Sequence, residues 1–150
     1  MIINWEVIPF FIGFIFSYLI FNYNKLRLGG VISIPLLAVY TIKFPLIALI
    51  IMVSSVLIFT LLELLMEQAI IYGRRLLYIS MIMSVVLMAL VEIFISKNSE
   101  WYAMLLSGII AYNYHREYHS GVDIKKSIFF CFLLYFVCLI SAIVAFLMIR

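Results

Sequence analysis

The chain has 150 residues, 68% of them hydrophobic and 11% charged, with a mean hydropathy of +1.27 and a formal net charge of +3. Soluble domains are about 45–50% apolar and about 25% charged, so this composition is that of a membrane protein. At about 20 residues per spanning helix the length accommodates four full spans and some shorter pieces. It excludes a nucleotide-binding soluble domain, and no basic, aromatic-interleaved surface is left for nucleic acid.

The first apolar run is Val7 to Phe21, bracketed by Trp5 and Tyr23 as interfacial aromatics often bracket a span, and it ends in the polar "NYNKLR". The first basic residue, Lys25, follows this run. A cleavable signal peptide places its basic residues ahead of the apolar stretch, so the segment reads as a retained span. "GGVISIPLLAVYTI" (Gly29 to Ile42) is apolar but short, and Pro35 is expected to break or kink a helix there. From Lys43 to Gly73 a longer apolar segment begins with Pro45 near its helical N-terminus, where proline is tolerated. It exceeds what a bilayer requires, so its Glu63/Glu67 end should emerge or tilt.

Arg74 and Arg75 follow back to back, and Leu76 to Ile95 makes another span closed by "SKNSE". "WYAMLLSGIIAYNY" (Trp101 to Tyr114) is a second short apolar piece. The most polar stretch, "HREYHSGVDIKKS", comes next, and Asp123 is placed to N-cap a last helix from about Ile124 to Met148. Cys131 and Cys138 lie seven apart on that helix, about 10 Å along its axis. That is too far for a disulfide, so they read as apolar filler.

The fold expected is an all-α integral membrane protein. It is a small helical bundle of four long spans plus two short or re-entrant apolar helices, arranged as two similar halves (1–73 and 74–150) of one transmembrane domain. Short or Pro/Gly-interrupted segments at matching places in two halves point to a midplane site in transporters. The alternative is that both pieces simply pack the bundle.

Counting Lys and Arg by the positive-inside rule leaves the topology open. If the short pieces do not cross, one side holds Lys25, Arg27, Lys43, Lys97, Arg116, Lys125 and Lys126 against Arg74, Arg75 and Arg150. If they do cross, the larger set becomes Lys25, Arg27, Arg74, Arg75, Arg116, Lys125 and Lys126, against Lys43, Lys97 and Arg150. Both arrangements put the termini outside, and they put the twin arginines on opposite faces.

Guanidinium forks grip carboxylates or phosphates bidentately, so Arg74 and Arg75 are candidates for an anion site as well as for lipid anchoring. Were the preceding helix unbroken, Glu63, Glu67, Ile70 and Arg74 would share one face; Gly73 is a candidate break. Glu63 and Glu92 sit near span ends, where carboxylates reach water. His115 and His119 at i, i+4 have metal-ligand spacing, but Arg116 stands where the zincin motif needs Glu. Gly121 and Asp123 also suggest a loop, so no metal is expected. Ser80 and Ser84, and Gly108 with Ala111 and Tyr112, are small residues that let helices approach closely in lipid. No nucleophilic triad, phosphate-binding glycine loop or CxxC pair is present, and no catalytic residue is assigned.

The string "IIYGRRLLYISMIMSVVL" resembles the membrane subunit of bacterial poly-γ-glutamate synthases, the CapC/PgsC family, which has a Tyr-Gly-Arg-Arg corner between two spans. The family's short apolar segments around Val-Pro-Gly have counterparts in "GGVISIPLLAVY", with Pro35, and in "LLSGIIAYNYHREYHSGV", with Ser107, Gly108 and Ala111. The chain departs from the pattern in lacking glycine after Pro35, in carrying Ser107 where proline would stand, and in its histidine-rich loop.

The resemblance implies a multi-pass protein of the bacterial cytoplasmic (inner) membrane. It would serve as the integral partner of a cytoplasmic ATP-dependent amide ligase related to the Mur ligases, holding it at the bilayer and conducting the anionic polyglutamate outward. ATP and Mg belong to that ligase, and this chain binds no cofactor of its own. Membrane lipid, the ligase, polyglutamate and a homo-oligomer are the implied partners. The implied contact residues are Tyr72, Gly73, Arg74 and Arg75 at the corner, Glu63 and Glu67 before it, Pro35, Ser107 and Gly108 in the short segments, and Asn113, His115 and Arg116 in the polar stretch. With the short pieces crossing, the twin arginines face the cytoplasm, where ligase and product would meet them. A different class remains open: a small transporter or channel subunit unrelated to polyglutamate.

Overall fold

The computed structural model describes residues 5–26, 30–68, 73–94 and 99–149, with backbone alone at 67–68, 94, 99–101 and 149. Tyr72, Ile70, Arg27, Lys97 and Arg150, and the side chain of Glu67, lie outside the described residues. Six α-helices follow in order: α1 (Val7–Asn24), α2 (Ser33–Lys43), α3 (Pro45–Gln68), α4 (Arg74–Phe94), α5 (Leu105–His119) and α6 (Ile124–Ile149), with a 3-10 turn at Ser99–Met104 before α5. Within lipid every backbone polar group must be bonded inside the protein, which selects helices for these apolar runs. Four of them, α1, α3, α4 and α6, are long and apolar enough to cross a membrane. The chain is an all-α, multi-pass membrane protein.

Two local expectations are corrected, and one conditional reading is decided. Pro35 does not break α2: it is the third residue of the helix, where its missing N–H would have had no partner, and α2 continues to Lys43. The face that an unbroken helix would give Glu63 and Arg74 is not formed, because Gly73, the candidate break, takes a left-handed backbone (φ +65°) immediately before α4. The polar stretch at 115–119 is helix rather than loop. α5 runs through His119, the Ser120 N–H donates to the Glu117 carbonyl at 3.1 Å, and Gly121 (φ +78°) stands just beyond, where left-handed backbone closes a helix. Other expectations hold. Pro45 opens α3, and Asp123 caps α6, its Oδ1 accepting from the Lys125 N–H at 3.0 Å. Cys131 and Cys138 are buried and are not joined in a disulfide.

The two short helices occupy the centre. α2 packs against α6, α3 and α1, while α5 packs against α3 and α4; among the described residues the backbones of α3 and α6 do not approach one another closely. Each short helix thus leans on the closing helix of the opposite half. Small residues make these approaches possible, as lipid supplies little hydrophobic drive between helices. Gly13 lies directly on the Pro35 ring, and a Cβ on Gly108 would stand 2.6 Å from the Ser80 carbonyl oxygen and 3.0 Å from the Ser84 Cβ. Ser84 Oγ donates to the Met104 carbonyl at 2.6 Å and lies 3.1 Å from Ser107 Oγ, joining α4 to the start of α5. The outward faces of α1, α4 and α6 carry Phe11, Tyr18, Ile82, Phe129, Phe136 and Leu147, all exposed to the surrounding lipid.

Directions follow from contacts. Trp5 meets Phe146, and Lys43 pairs with Glu6 and stands 5.7 Å over the Trp5 ring, so the start of α1, the end of α2 and the end of α6 share one end of the bundle. Leu26, just past α1, clusters with Ile34 and Cys131 and is joined by Val122, at the opposite end. The segment from Lys25 to Lys43 therefore begins at one end and finishes at the other. α4 and α5 run antiparallel, with Ser84 beside Met104, Ser80 beside Gly108, and Leu76 beside Ala111. The 3-10 turn and α5 thus carry the chain back to the end where α3 finished. Both short segments run from one end of the bundle to the other, the course that the six-crossing arrangement requires, although among the described residues only four helices are long and apolar enough to cross by themselves. Each half makes three traverses, so the halves have opposite orientations.

Candidate functional site

At the end opposite Trp5, three helices converge. α3 brings Phe59 and Glu63, the last turn of α5 brings His115, Arg116 and His119, and α4 begins with Arg74. The basic last turn of α5 complements the negative end of its helix dipole. Because α5 is helical through His119, residues 115 and 119 fall on one face, and their rings are 4.5 Å apart between centroids. Both point at α3: Glu63 Oε1 lies 3.2 Å from His115 Nε2 and 3.1 Å from His119 Nε2.

His115 is 2% exposed, whereas Glu63 and His119 reach the surface at 30% and 44%. His119 Nε2 is hydrogen-bonded to the carboxylate, but His115 Nε2, at nearly the same distance, makes no properly directed hydrogen bond. Phe59 packs against His115 with centroids 6.1 Å apart, and Tyr118 stands edge-on to His119 at 5.2 Å. The imidazoles are thereby held from the sides.

The two histidines of this cluster stand in the wall of a cavity of about 440 Å³ lined by Met66, Gly73, Arg74, Leu76, Tyr112, His115, Arg116, His119 and Ser120. Among the described residues two arginines and two histidines line it and no carboxylate does, and α4 carries no acidic residue in its first turn. Such a lining suits a carboxylate or phosphate, which arginine binds through paired N–H donors. Beside it, Glu117 is buried and bonded to Ser127 Oγ, tying the end of α5 to the start of α6, where Lys125 and Lys126 are exposed.

Of the residues singled out from sequence, Glu63, Gly73, Arg74, His115 and Arg116 come together here. Arg75 is exposed and does not line the cavity. Pro35, Ser107 and Gly108 lie in helix seams rather than at the site, and Asn113 donates its side-chain amide to the Ile109 carbonyl at 2.9 Å, next to Gly30. His119 was not among the contact residues, although its i, i+4 spacing from His115 was the available signal. Its partner Glu63 is 56 residues away, and no local pattern indicates it.

A second cavity, about 360 Å³, lies between α3 and α6 over the short helices, among them Ile34, Leu37, Ile110, Phe132 and Tyr135. Among the described residues no charged one lines it.

Comparison with curated proteins and with solved structures gives no match. The model of one protein family, described as capsule biosynthesis CapC, matches residues 12–121, from within α1 through the whole of α5 and the site at its end. The match covers well over half of the chain, and with the Tyr-Gly-Arg-Arg corner and the pattern of long and short helices it shows that the chain belongs to the CapC family of capsule biosynthesis.

Proposed function

We propose that this chain is the integral subunit of a poly-γ-glutamate synthase-like complex in the bacterial inner membrane. In this role it holds a cytoplasmic ATP-dependent amide ligase at the bilayer and receives the growing polyanion at the arginine-lined end of the bundle. The observation that carries the reading is the location of that cavity. Arg74 and Arg116 line it, and in the six-crossing arrangement they share an end with Lys25, Lys125 and Lys126, the set the positive-inside rule assigns to the cytoplasm. The ligase and the charged end of its product would meet the membrane there. ATP and Mg act in the ligase, and this chain supplies anchorage and anion contacts. The apolar crevice between α3 and α6 offers no path to a polyanion. Passage of polymer across the bilayer would therefore run between copies of the chain.

The test is co-expression with the partner ligase and measurement of ATP- and glutamate-dependent polymer in membranes. Arg74→Ala/Arg116→Ala is expected to lower product tenfold or more, since a hydrogen bond to a charged group contributes about 1.5–3 kcal/mol. Arg75→Ala should leave product near wild type. Wild-type product from the Arg74/Arg116 double variant would overturn the role of the cavity, and a chain that never co-purifies with a ligase would overturn the complex.

A second reading rests on a different observation. Oppositely oriented halves, each with a short central helix, are also an arrangement met in secondary transporters. Solute flux by this chain alone in liposomes would favour it.

A further inference from the structure

We propose that Glu63, His115 and His119 form a divalent transition-metal site, filled by zinc, whose open coordination position faces the arginine-lined cavity and takes an oxygen of an anionic ligand.

The geometry is the starting point. The three donor atoms, one carboxylate oxygen and two imidazole nitrogens, all lie within 4.8 Å of one another, with the oxygen 3.2 and 3.1 Å from the two nitrogens. Zinc binds nitrogen and carboxylate oxygen at about 2.0–2.2 Å in tetrahedral geometry, which separates neighbouring ligand atoms by about 3.4 Å. The two oxygen–nitrogen distances are close to that edge length, so an ion can reach all three donors with small side-chain movements.

Hydrogen bonding alone leaves the cluster incomplete. One carboxylate oxygen faces two ring nitrogens, but only His119 bonds to it. His115 Nε2 is buried, aimed into the cluster and unpartnered, a state that buried polar atoms seldom keep. A cation placed among the three donors would satisfy this nitrogen, its neighbour and the carboxylate at once. The frame is also built for it: two ligands sit at i, i+4 on α5, the third comes from the helix α5 packs against, and Phe59 and Tyr118 restrict the rings.

Ligand chemistry selects the metal. Two imidazoles and one carboxylate suit zinc and its neighbours, whereas magnesium and calcium favour all-oxygen sites. Three protein ligands with an open fourth position mark a site that binds something rather than one that only staples the fold. Arg74 and Arg116 in the same cavity would neutralise an anion held by the ion. The site stands on its own geometry and does not depend on a ligase partner.

The experiment uses the full chain in mild detergent, with any affinity tag removed. It is stripped with chelator and re-loaded with Zn(II) or Co(II), and metal per chain is read by elemental analysis and by the visible spectrum of Co(II). About one ion per chain is expected, with Mg(II) failing to compete. His119→Ala, at an exposed position and therefore tolerable to the fold, should weaken binding by at least about 100-fold, as loss of a direct ligand exceeds the 10–100-fold cost of an outer-shell partner. Glu63→Gln should do the same, with unchanged melting of the stripped proteins confirming that both fold. Addition of glutamate or inorganic phosphate should shift the Co(II) spectrum in wild type and not in Arg116→Ala. Stoichiometric binding retained by His119→Ala, or no binding by wild type, would overturn the site. A Co(II) spectrum indifferent to both anions would overturn the open position.

Discussion

Gly108→Ala measures how far the central seam determines the molecule. The new Cβ would stand 2.6 Å from the Ser80 carbonyl oxygen and 3.0 Å from the Ser84 Cβ, against ordinary contact beyond about 3.4 Å. The nearest obstacle is backbone of α4, so no flexible side chain can swing away, and α5 must back off by several tenths of an ångström. Overpacking of this kind costs about 1–3 kcal/mol. Retreat of α5 also strains the short bonds from Ser84 to Met104 and Ser107, at about 1 kcal/mol for a hydrogen bond lost. Against this, alanine is the better helix former by about 1 kcal/mol. The net expectation is a loss of about 1–3 kcal/mol. At about 2–4 °C per kcal/mol for a chain of this size, the melting temperature in detergent should fall by about 2–12 °C, as read by scanning fluorimetry. Because the same seam sets α5 against α4, and hence Arg116 against Arg74, ligase-dependent product should fall at temperatures where the protein is still folded. An unchanged or raised melting temperature would show that the two helices are not in the register described, and would refute the reasoning.

Two further outcomes follow from local geometry. Asp123→Ala removes the acceptor for the Lys125 N–H at the start of α6; it should cost about 1 kcal/mol and lower the same melting temperature by about 2–4 °C, an effect Asp123→Asn should largely reverse. The six-crossing arrangement predicts that a membrane-impermeant maleimide labels Lys43→Cys in intact cells but labels Lys126→Cys only once the inner face is exposed. Labelling of both from one side would restore the four-crossing topology.

The spans were legible because their signal is simple: an apolar run long enough for a bilayer has few alternatives to a helix. Breakers were less legible, since their effect depends on position within the element. Pro35 was expected to interrupt its segment, yet in the first turn it costs no hydrogen bond. Gly121 and Asp123 were read as spreading a loop back over the histidines, whereas they mark only where α5 stops and α6 starts. The direction of the short segments could not be drawn from charge counting, because both arrangements divide the cations equally well. The pairing of Lys43 with Glu6 and of Glu63 with the histidines distinguishes them, and such contacts between distant parts of the chain leave no local trace. The arginine corner was recognised, but the division of labour between Arg74, on the cavity, and Arg75, outside it, required the cavity itself.

The crossed packing of the short helices bears on how the protein is made. α2 leaves the insertion machinery long before α6 exists: Cys138, against which the Gly13–Pro35 contact closes, is translated roughly 90 to 100 residues after Lys43. At about 5–20 residues per second the half-built bundle must wait roughly 5–20 s with the inner face of α2 uncovered. An 11-residue helix is too short to hold a bilayer-spanning position by hydropathy alone. Its orientation is therefore retained during synthesis by its short links to α1 and α3, and it becomes irreversible only when the last helix arrives. Release of a chain stopped before α6 should leave a substrate for membrane quality control rather than a functional fragment.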